Sequence, residues 1–453
     1  MDKKSSVKDN RKFKNDQPVF DRRGLYLDLS VLPYTAERLK DIINLCYGLR
    51  FNTLVVEWGS NFPWRLDKRF SSDYAYSDST VHEWVAFAGK RGIEIIPYIA
   101  CLKAIHCTFG LQSYSPLFES CNQPDFAGGI EPGTRKFMED IIDDILSLNP
   151  GCRRIMVGFD SINPSGSSEI LNTARFNQGK GREGDEGKTT WIACFNSLLK
   201  PLVEYCSSRK VKPLVFLPSE GRDIFIKLWT ERESAACVVD SRLIGEVELP
   251  STRTAEIWSA LRLPAADTDT LLKAIVTQCR ELHAKGVAGI LAVIDYSGRY
   301  SGLKCVPIDV YTACLPVISS LLWDYNSSTT MDLAKDRLLF FTNAHSAQER
   351  EKIFLVLAEF LNCSWKSIRQ LKETFIRCTL ESPYRKQHYM YAKRLKASLQ
   401  DWIHSSEEIE QRLYALFSNV IDETALRRFA AEYLEPIREE FSQLETRLRQ
   451  LLY

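Results

Sequence analysis

The sequence predicts a (β/α)8 barrel, the TIM barrel fold, followed by an all-helical C-terminal domain. Between about residues 22 and 322, short apolar runs alternate with longer amphipathic runs, the pattern of strands alternating with helices. There are eight short runs, and a length of about 300 residues suits a barrel of eight strand–helix units. From residue 331 onward only helical periodicity remains.

The predicted strands are apolar runs that read as buried parallel strands. They cover residues 24–30, 53–58, 93–99, 154–160, 213–219, 236–240, 255–261 and 289–296. An open doubly wound sheet is the competing architecture. It normally carries a glycine-rich phosphate turn after its first strand, and "LDLSVLPYT" has none. We therefore favour the closed barrel.

The predicted helices have amphipathic patterns and recognisable starts. Thr35 and Asp267 stand at helix-capping positions before "AERLKDIINLCYGL" and "TDTLLKAIVTQC". The helices are predicted at residues 35–48, 80–91, 133–148, 190–209, 267–285 and 306–322.

Three regions follow from these patterns. Residues 1–21 are polar and predicted to be disordered, residues 22–325 form the barrel, and residues 326–453 form the helical domain. In the last segment apolar residues recur every three or four positions from Leu426 to Leu451, with Pro436 expected to kink the helix. This domain packs against the barrel or, alternatively, forms the interface of a homodimer.

Composition excludes several classes of protein. Apolar residues make up 45%, charged residues 26%, and the net charge is +1, so neither nucleic acid nor an anionic membrane is an expected partner. The N-terminus lacks the apolar core of a signal peptide, and no apolar run reaches the ~20 residues of a membrane span. The 13 cysteines form no CxxC pair and read as buried thiols, which predicts a cytoplasmic protein. The six histidines are scattered along the sequence, which argues against a histidine-rich metal site.

In such barrels the working residues lie at the carboxyl ends of the strands. Carboxylates and tryptophans dominate these positions, and they suit a carbohydrate, whose ring faces stack on indole and whose hydrolysis needs carboxyl groups. Structural acids or a divalent metal site are the alternatives. The strand ends and following loops supply Asp28, Glu57, Trp58, His106, Asp160, Ser161, Trp229, Asp240, Trp258, Asp295 and Tyr296.

Specific strings strengthen the carbohydrate hypothesis. "RRGLYLDLSVLPYTAERLKDIINLCYGLRFNTLVVEW" resembles the opening of the family 20 glycoside hydrolases, the β-N-acetylhexosaminidases. "VHEWVAFAGKRGIEIIPYI", "LNPGCRRIMVGFDSI" and "GVAGILAVIDYSGRYSG" are similar to later segments of that family, in the same order. "NFPW" resembles the hexosaminidase D branch. The resemblance covers about residues 20–325.

The resemblance implies removal of terminal β-linked N-acetylhexosamine by a substrate-assisted mechanism without metal or cofactor. The 2-acetamido oxygen of the substrate attacks the anomeric carbon. Asp160 matches the aspartate that orients this acetamide, Arg23 the arginine that binds sugar hydroxyls, and His106 the supporting histidine. Trp229 and Trp258 match pocket walls.

Other residues are expected at the site from their positions. Trp58, Ser161 and Tyr296 would contact the substrate, and Asp28 would hold Arg23 by a bidentate bond.

One position departs from the family pattern. Ser161 stands where the family has its general-acid glutamate, and a serine hydroxyl cannot take that role. Either another carboxylate replaces it, with Glu57 and Asp295 as candidates, or the protein acts only on substrates with good leaving groups. As further alternatives, the barrel binds a glycan or protein partner without hydrolysis, or it uses two protein carboxylates on a different sugar.

Overall fold

The structure, a computed structural model, describes most of the predicted barrel. The described residues are 17–29, 34–71, 75–101, 132–158, 195–218, 236–246, 256–263, 268–294 and 315–324. Isolated residues between 393 and 449 are also described, and each of these is helical.

Eight parallel strands form a closed barrel. Each strand pairs with its neighbours in the sequence, and β8 pairs with β1 to complete the ring. This closure confirms the predicted barrel and excludes an open doubly wound sheet. The strands are β1 (Arg22–Asp28), β2 (Thr53–Glu57), β3 (Glu94–Ala100), β4 (Arg154–Gly158), β5 (Lys212–Leu217), β6 (Ala236–Asp240), β7 (Ile257–Leu263) and β8 (Gly289–Ile294).

Helices follow the strands on the outside of the barrel. As predicted, Thr35 caps the first helix, its hydroxyl oxygen accepting a hydrogen bond from the backbone N–H of Arg38 at 3.3 Å. A π-helical turn at Phe195–Leu199 precedes the fourth helix. The helices are α1 (Ala36–Gly48), α2 (Asp78–Gly89), α3 (Pro132–Leu148), α4 (Lys200–Ser208), α5 (Ser241–Glu246), α6 (Thr268–Ala284) and α7 (Leu315–Trp323).

Ring contacts identify the inner face of the barrel. Tyr26 of β1 and Tyr98 of β3 meet edge to face with centroids 6.3 Å apart, although β2 lies between their strands. Tyr98 and Phe216 of β5 meet in the same way at 6.1 Å across β4. Side chains on the inner face of a barrel point toward its axis, so side-chain contacts that skip a strand lie inside it. These three aromatic rings therefore fill part of the interior.

The outer face of the sheet carries the apolar core against the helices. Trp58, directly after β2, packs edge to face on Trp84 of α2 at 5.4 Å between centroids. The indole N–H of Trp84 donates to the carbonyl of Leu39 in α1 at 2.7 Å, which joins the two helices. Both indoles are almost fully buried, and burial of such large apolar surfaces is a major source of stability.

Charged residues occupy the amino-terminal end of the interior. Glu94 accepts hydrogen bonds from Arg22 at 3.2 Å and Arg154 at 2.7 Å. Glu256, directly before β7, accepts from Lys212 at 2.6 Å and from the indole N–H of Trp258 at 2.8 Å. We call these six side chains, Arg22, Glu94, Arg154, Lys212, Glu256 and Trp258, the amino-end layer. The residues of this layer lie in, or directly before, β1, β3, β4, β5 and β7. The layer therefore links more than half of the strands.

The seventh strand differs from the prediction in a way that matters for the site. It runs from Ile257 to Leu263, two residues later than the predicted 255–261. Pro264 follows directly, and a strand commonly ends before a proline. The shift places Trp258 at the second position of the strand rather than at its middle, and so farther from the carboxyl end where a site residue was expected.

The predicted disordered N-terminus and helical C-terminal domain fall largely outside the described residues, and both stay predictions. Within the described part, Leu399 is 1% exposed and belongs to the same buried apolar cluster as the barrel, and Ile403 packs against that cluster. Among the described helices none is long and apolar enough to cross a membrane.

Candidate active site

Two carboxylates end neighbouring strands at the carboxyl end of the barrel. Asp28 is the last residue of β1 and Glu57 the last of β2, and the two are partners in the parallel register. Their exposed fractions are 3% and 2%. A carboxylate is costly to bury without hydrogen-bond partners, so this pair marks a specialised position of the fold.

Tyr26 positions the Glu57 side chain. The Tyr26 hydroxyl donates a hydrogen bond to Oε2 of Glu57 from the inner face of β1. Tyr26 itself is completely buried, and its ring is held by the edge contact with Tyr98. Glu57 is therefore anchored by a rigid neighbour on the interior side of the sheet.

Tyr98 crosses the end of β4, the strand that leads to Asp160. A Cβ atom on Gly158 would overlap the Tyr98 hydroxyl oxygen and lie 3.2 Å from the Cβ of Phe216. The absence of a side chain at Gly158 thus gives Tyr98 its place across the barrel. Tyr26, Tyr98 and Phe216 form an aromatic layer just below the strand ends.

The segments after β1 and β2 are tied together beside this layer. The backbone N–H of Leu29 donates to the carbonyl of Glu57 at 2.8 Å. The side-chain amide of Asn61 donates to the carbonyl of Leu29 at 2.6 Å. In the "NFPW" segment, the indole N–H of Trp64 donates to the carbonyl of Gly59 at 2.9 Å. These bonds fix the chain around Asp28 and Glu57.

An apolar cavity lies next to Glu57. It is bounded by Glu57, Trp58, Trp64, Phe70 and Tyr98, and on its far side by Ile141 of α3. Trp58 thus borders this cavity while its ring packs against Phe62, Tyr76 and Trp84. Its main contacts are those of the core between sheet and helices.

Arg23 does not lie with the carboxylates, contrary to the expectation. It is the second residue of β1, and its guanidinium donates to the carbonyls of Phe20 at 2.8 Å and Arg50 at 3.0 Å. It also lies over the ring of Trp323, 5.1 Å from the centroid. Burial is the main cause that lowers the pKa of Arg23. This position at the amino-terminal end also rules out the expected bidentate bond to Asp28, which ends the same strand.

Trp258 is displaced from the expected site for a related reason. Its completely buried indole donates to Glu256 within the amino-end layer. It lies against Gly289, the first residue of β8, where an added Cβ would be 3.2 Å from the indole ring. Trp258 is thus part of the barrel floor and not a wall at the carboxyl end.

Six predicted site residues lie outside the described part of the chain. They are His106, Asp160, Ser161, Trp229, Asp295 and Tyr296. In the sequence, Asp160 comes two residues after the end of β4, and Asp295 directly follows β8. Their roles stay predictions.

Two tyrosines at the site were missed from the sequence. Tyr26 lies two residues before Asp28, so both side chains lie on one face of β1. The same alternation places Tyr98 on one face of β3. That alternation could have suggested Tyr26, but its bond to Glu57 depends on the register of β1 against β2.

Asp240, at the end of β6, is also buried, with 1% exposed. Among the described residues, no three histidine, cysteine or acidic side chains are grouped as a metal site would need.

Comparisons with known proteins agree with the motifs. Human hexosaminidase D is 28% identical over 151 residues, which are 33% of this chain and 31% of that protein. A β-N-acetylhexosaminidase of Cellulomonas fimi is 26% identical over 172 residues, 32% of this chain and 34% of that protein. A solved structure described as a β-N-acetylhexosaminidase is 13% identical with a TM-score of 0.48, covering 72% of this chain and 78% of that one.

The matched region spans about a third of the length of these curated relatives. No protein-family profile matches the chain. The sequence relatives nevertheless carry the names that the motifs indicate, and the chain is similar in sequence to hexosaminidase D and to a bacterial β-N-acetylhexosaminidase.

Proposed function

We propose that this chain is a glycoside hydrolase that removes terminal β-linked N-acetylhexosamine from a glycan. The observation that carries the proposal is its similarity to proteins named hexosaminidase D and β-N-acetylhexosaminidase. The buried carboxylates Asp28 and Glu57, at the end of the barrel where such folds do their chemistry, support it.

The proposed mechanism is substrate-assisted. The oxygen of the 2-acetamido group attacks the anomeric carbon, the bond to the leaving oxygen breaks, and an oxazolinium ion forms that water then opens. Asp160 would orient the acetamide and stabilise the positive charge. A fixed carboxylate suits that task because it offsets a charge that develops only in the transition state.

The leaving oxygen needs a proton, and Ser161 cannot supply it. Glu57 is the described residue best placed to substitute, because it ends β2 at the carboxyl end and borders the cavity there. Asp295, directly after β8, is the other candidate. A general acid must lie within about 3 Å of the leaving oxygen.

Release of nitrophenol from aryl N-acetylglucosaminide and N-acetylgalactosaminide tests the proposal. We expect hydrolysis by the wild type and a loss of about 10²-fold in kcat for Asp160→Asn, the size typical for removal of an electrostatic stabiliser. Asp140→Asn is the matched control, because Asp140 lies on α3 and pairs with Lys136. Equal activity of Asp160→Asn and the wild type would contradict the role of Asp160.

Ser161 favours a second candidate function, a barrel that binds a glycan or protein partner without cutting it. In that case aryl glycosides stay intact, while calorimetry detects binding of N-acetylglucosamine. Ser161→Glu separates the two functions further. Hydrolysis that appears only in this variant places the missing acid at position 161, and binding detected by calorimetry then identifies the natural protein as a binder.

We propose a reducing compartment such as the cytoplasm as the location. The six cysteines of the described residues are free thiols, and five of them are buried. A homodimer through the C-terminal helices is a further proposal, based on the apolar periodicity of residues 426–451. The mass of the particle in solution, measured by light scattering, tests it.

A further inference from the structure

We propose that Tyr26 is a positioning residue for Glu57 in the hydrolytic reaction. This inference rests on the proposed function, because it gives Glu57 a part in hydrolysis. It also makes a separate claim about the structure, that one hydroxyl on β1 helps to hold the Glu57 carboxyl group in place.

The first support is the contact itself. The Tyr26 hydroxyl donates to Oε2 of Glu57, and the exposed fractions of the two residues are 0% and 2%. Because water barely reaches this pair, the phenol replaces the water that would otherwise solvate that oxygen. Hydrogen bonds to charged or ionisable groups in such surroundings are stronger than those at the surface.

The second support is the rigidity of the donor. The ring of Tyr26 meets Tyr98 edge to face, and Tyr98 in turn meets Phe216. The backbone of β2 is also held up to Glu57, since Tyr26 and Asp28 pair in register with Val55 and Glu57. A group held in this way loses little freedom when a substrate binds, which is the requirement for a preorganised site.

The third support is location. Glu57 borders the cavity shared by Trp64 and Tyr98 at the carboxyl end of the barrel. Tyr26 lies two positions before the end of β1. Its hydroxyl therefore reaches Glu57 from deeper inside the barrel. Tyr26 therefore positions Glu57 from below and is not itself expected to touch the sugar.

The decisive variant is Tyr26→Phe, which removes the hydroxyl and keeps the ring. We expect kcat for an aryl N-acetylglucosaminide to fall about tenfold or more, with KM changed less than about twofold, since the loss of one hydrogen bond to a carboxylate costs about this factor. In the Glu57→Gln background the same substitution should have no further effect. Tyr205→Phe is the matched control, because its hydroxyl donates to Asp143 at 2.8 Å on the outside of the barrel.

An infrared measurement tests the contact without relying on activity. The difference spectrum between the wild type and Glu57→Gln isolates the band of the Glu57 carboxyl group. This band should shift when the same difference is taken in the Tyr26→Phe background, and it should keep its position with Tyr205→Phe.

An unshifted band, or an equal loss of kcat from Tyr26→Phe with and without Glu57, would overturn the inference. Failure of the proposed function has a different signature. The wild type then releases no nitrophenol from either aryl glycoside, while the infrared shift still reports whether Tyr26 positions Glu57.

Discussion

Gly158 shows how a single missing side chain shapes the interior of this barrel. It ends β4, and Tyr98 from β3 passes over it to meet Phe216 of β5. The place of the Tyr98 hydroxyl overlaps the place that a Cβ on residue 158 would take. Any larger residue must move the aromatic layer beside Glu57 or bend the strand that leads to Asp160.

We predict that Gly158→Ala destabilises the protein by about 1–3 kcal/mol, the usual cost of overpacking a core. Adding Tyr98→Phe should restore much of this loss, because it removes the overlapping oxygen. Gly89→Ala is the control, since nothing lies within 4 Å of the added methyl group at the end of α2. Unfolding in urea measures all three variants, and equal midpoints for Gly158→Ala and the wild type would refute the packing argument.

Individual residues also show the limits of prediction from sequence. Asp28 and Glu57 were placed correctly at strand ends, because an acid after a buried apolar run is visible in the sequence. Arg23 was placed wrongly, because it is the second residue of β1 and its guanidinium donates to the carbonyls of Phe20 and Arg50. The partners of a side chain come from elements far away in the sequence, and no local pattern contains them.

At the scale of elements, strand boundaries decide which end of the barrel a residue serves. All eight strands were predicted within about two residues of their observed bounds, since buried parallel strands are continuous apolar runs. In a strand of seven residues, however, two positions are a large part of the length. The shift of β7 to Ile257–Leu263 moves Trp258 from the middle of the predicted strand to its second position, at the amino-terminal end of the barrel. Pro264 was the signal that could have set that boundary.

The amino-end layer predicts how stability changes with pH. Burial raises the pKa of Glu256, but hydrogen bonds from Lys212 and Trp258 and the charges of Lys212 and Arg154 outweigh it, so the pKa lies below its ordinary value of 4.5. Arg22 adds a third cation 3.9 Å away. Because the folded state binds the proton less readily than the unfolded state, ionised Glu256 stabilises the fold above pH 4.5, and this stabilisation is lost as the pH falls further.

We therefore expect Glu256→Gln to be less stable than the wild type at neutral pH, with the difference shrinking as the pH drops below about 4.5. Unfolding in urea across a pH series measures this. Glu83→Gln is the control, because its ion pair with Lys40 has an N–O distance of 3.5 Å and is exposed, so its loss should change stability by less than about 0.5 kcal/mol. A difference for Glu256→Gln that is constant from neutral to acid pH would contradict the prediction.

At the scale of the whole molecule, buried cysteines in several helices can report whether the protein is folded. Burial raises the pKa of Cys46, Cys206 and Cys279 to about 12. These thiols lie in α1, α4 and α6, on different sides of the barrel. A thiol reacts through its thiolate, so both burial and the raised pKa suppress alkylation.

We expect iodoacetamide at pH 8 to leave these three cysteines unmodified in the native protein and to label all three after unfolding in urea. Peptide mass spectrometry reads each site separately. Their protection should disappear over the same range of urea concentration, because all three thiols belong to one buried apolar cluster. Labelling of Cys46 in the native protein at the rate of the unfolded chain would show that the α1 side of the barrel opens.

The first and last described elements of the barrel meet. The backbone N–H of Val19 donates to the carbonyl of Trp323 at 3.0 Å, and Phe20 bonds in the same way to Leu322. The polypeptide therefore enters the ring and leaves its last helix at one seam, on the end that Arg23 occupies and away from Glu57. A circular permutant that links position 19 to position 324 and opens between α1 and β2 would keep every strand pair of the ring, because the new junction lies at the end of the barrel away from Glu57.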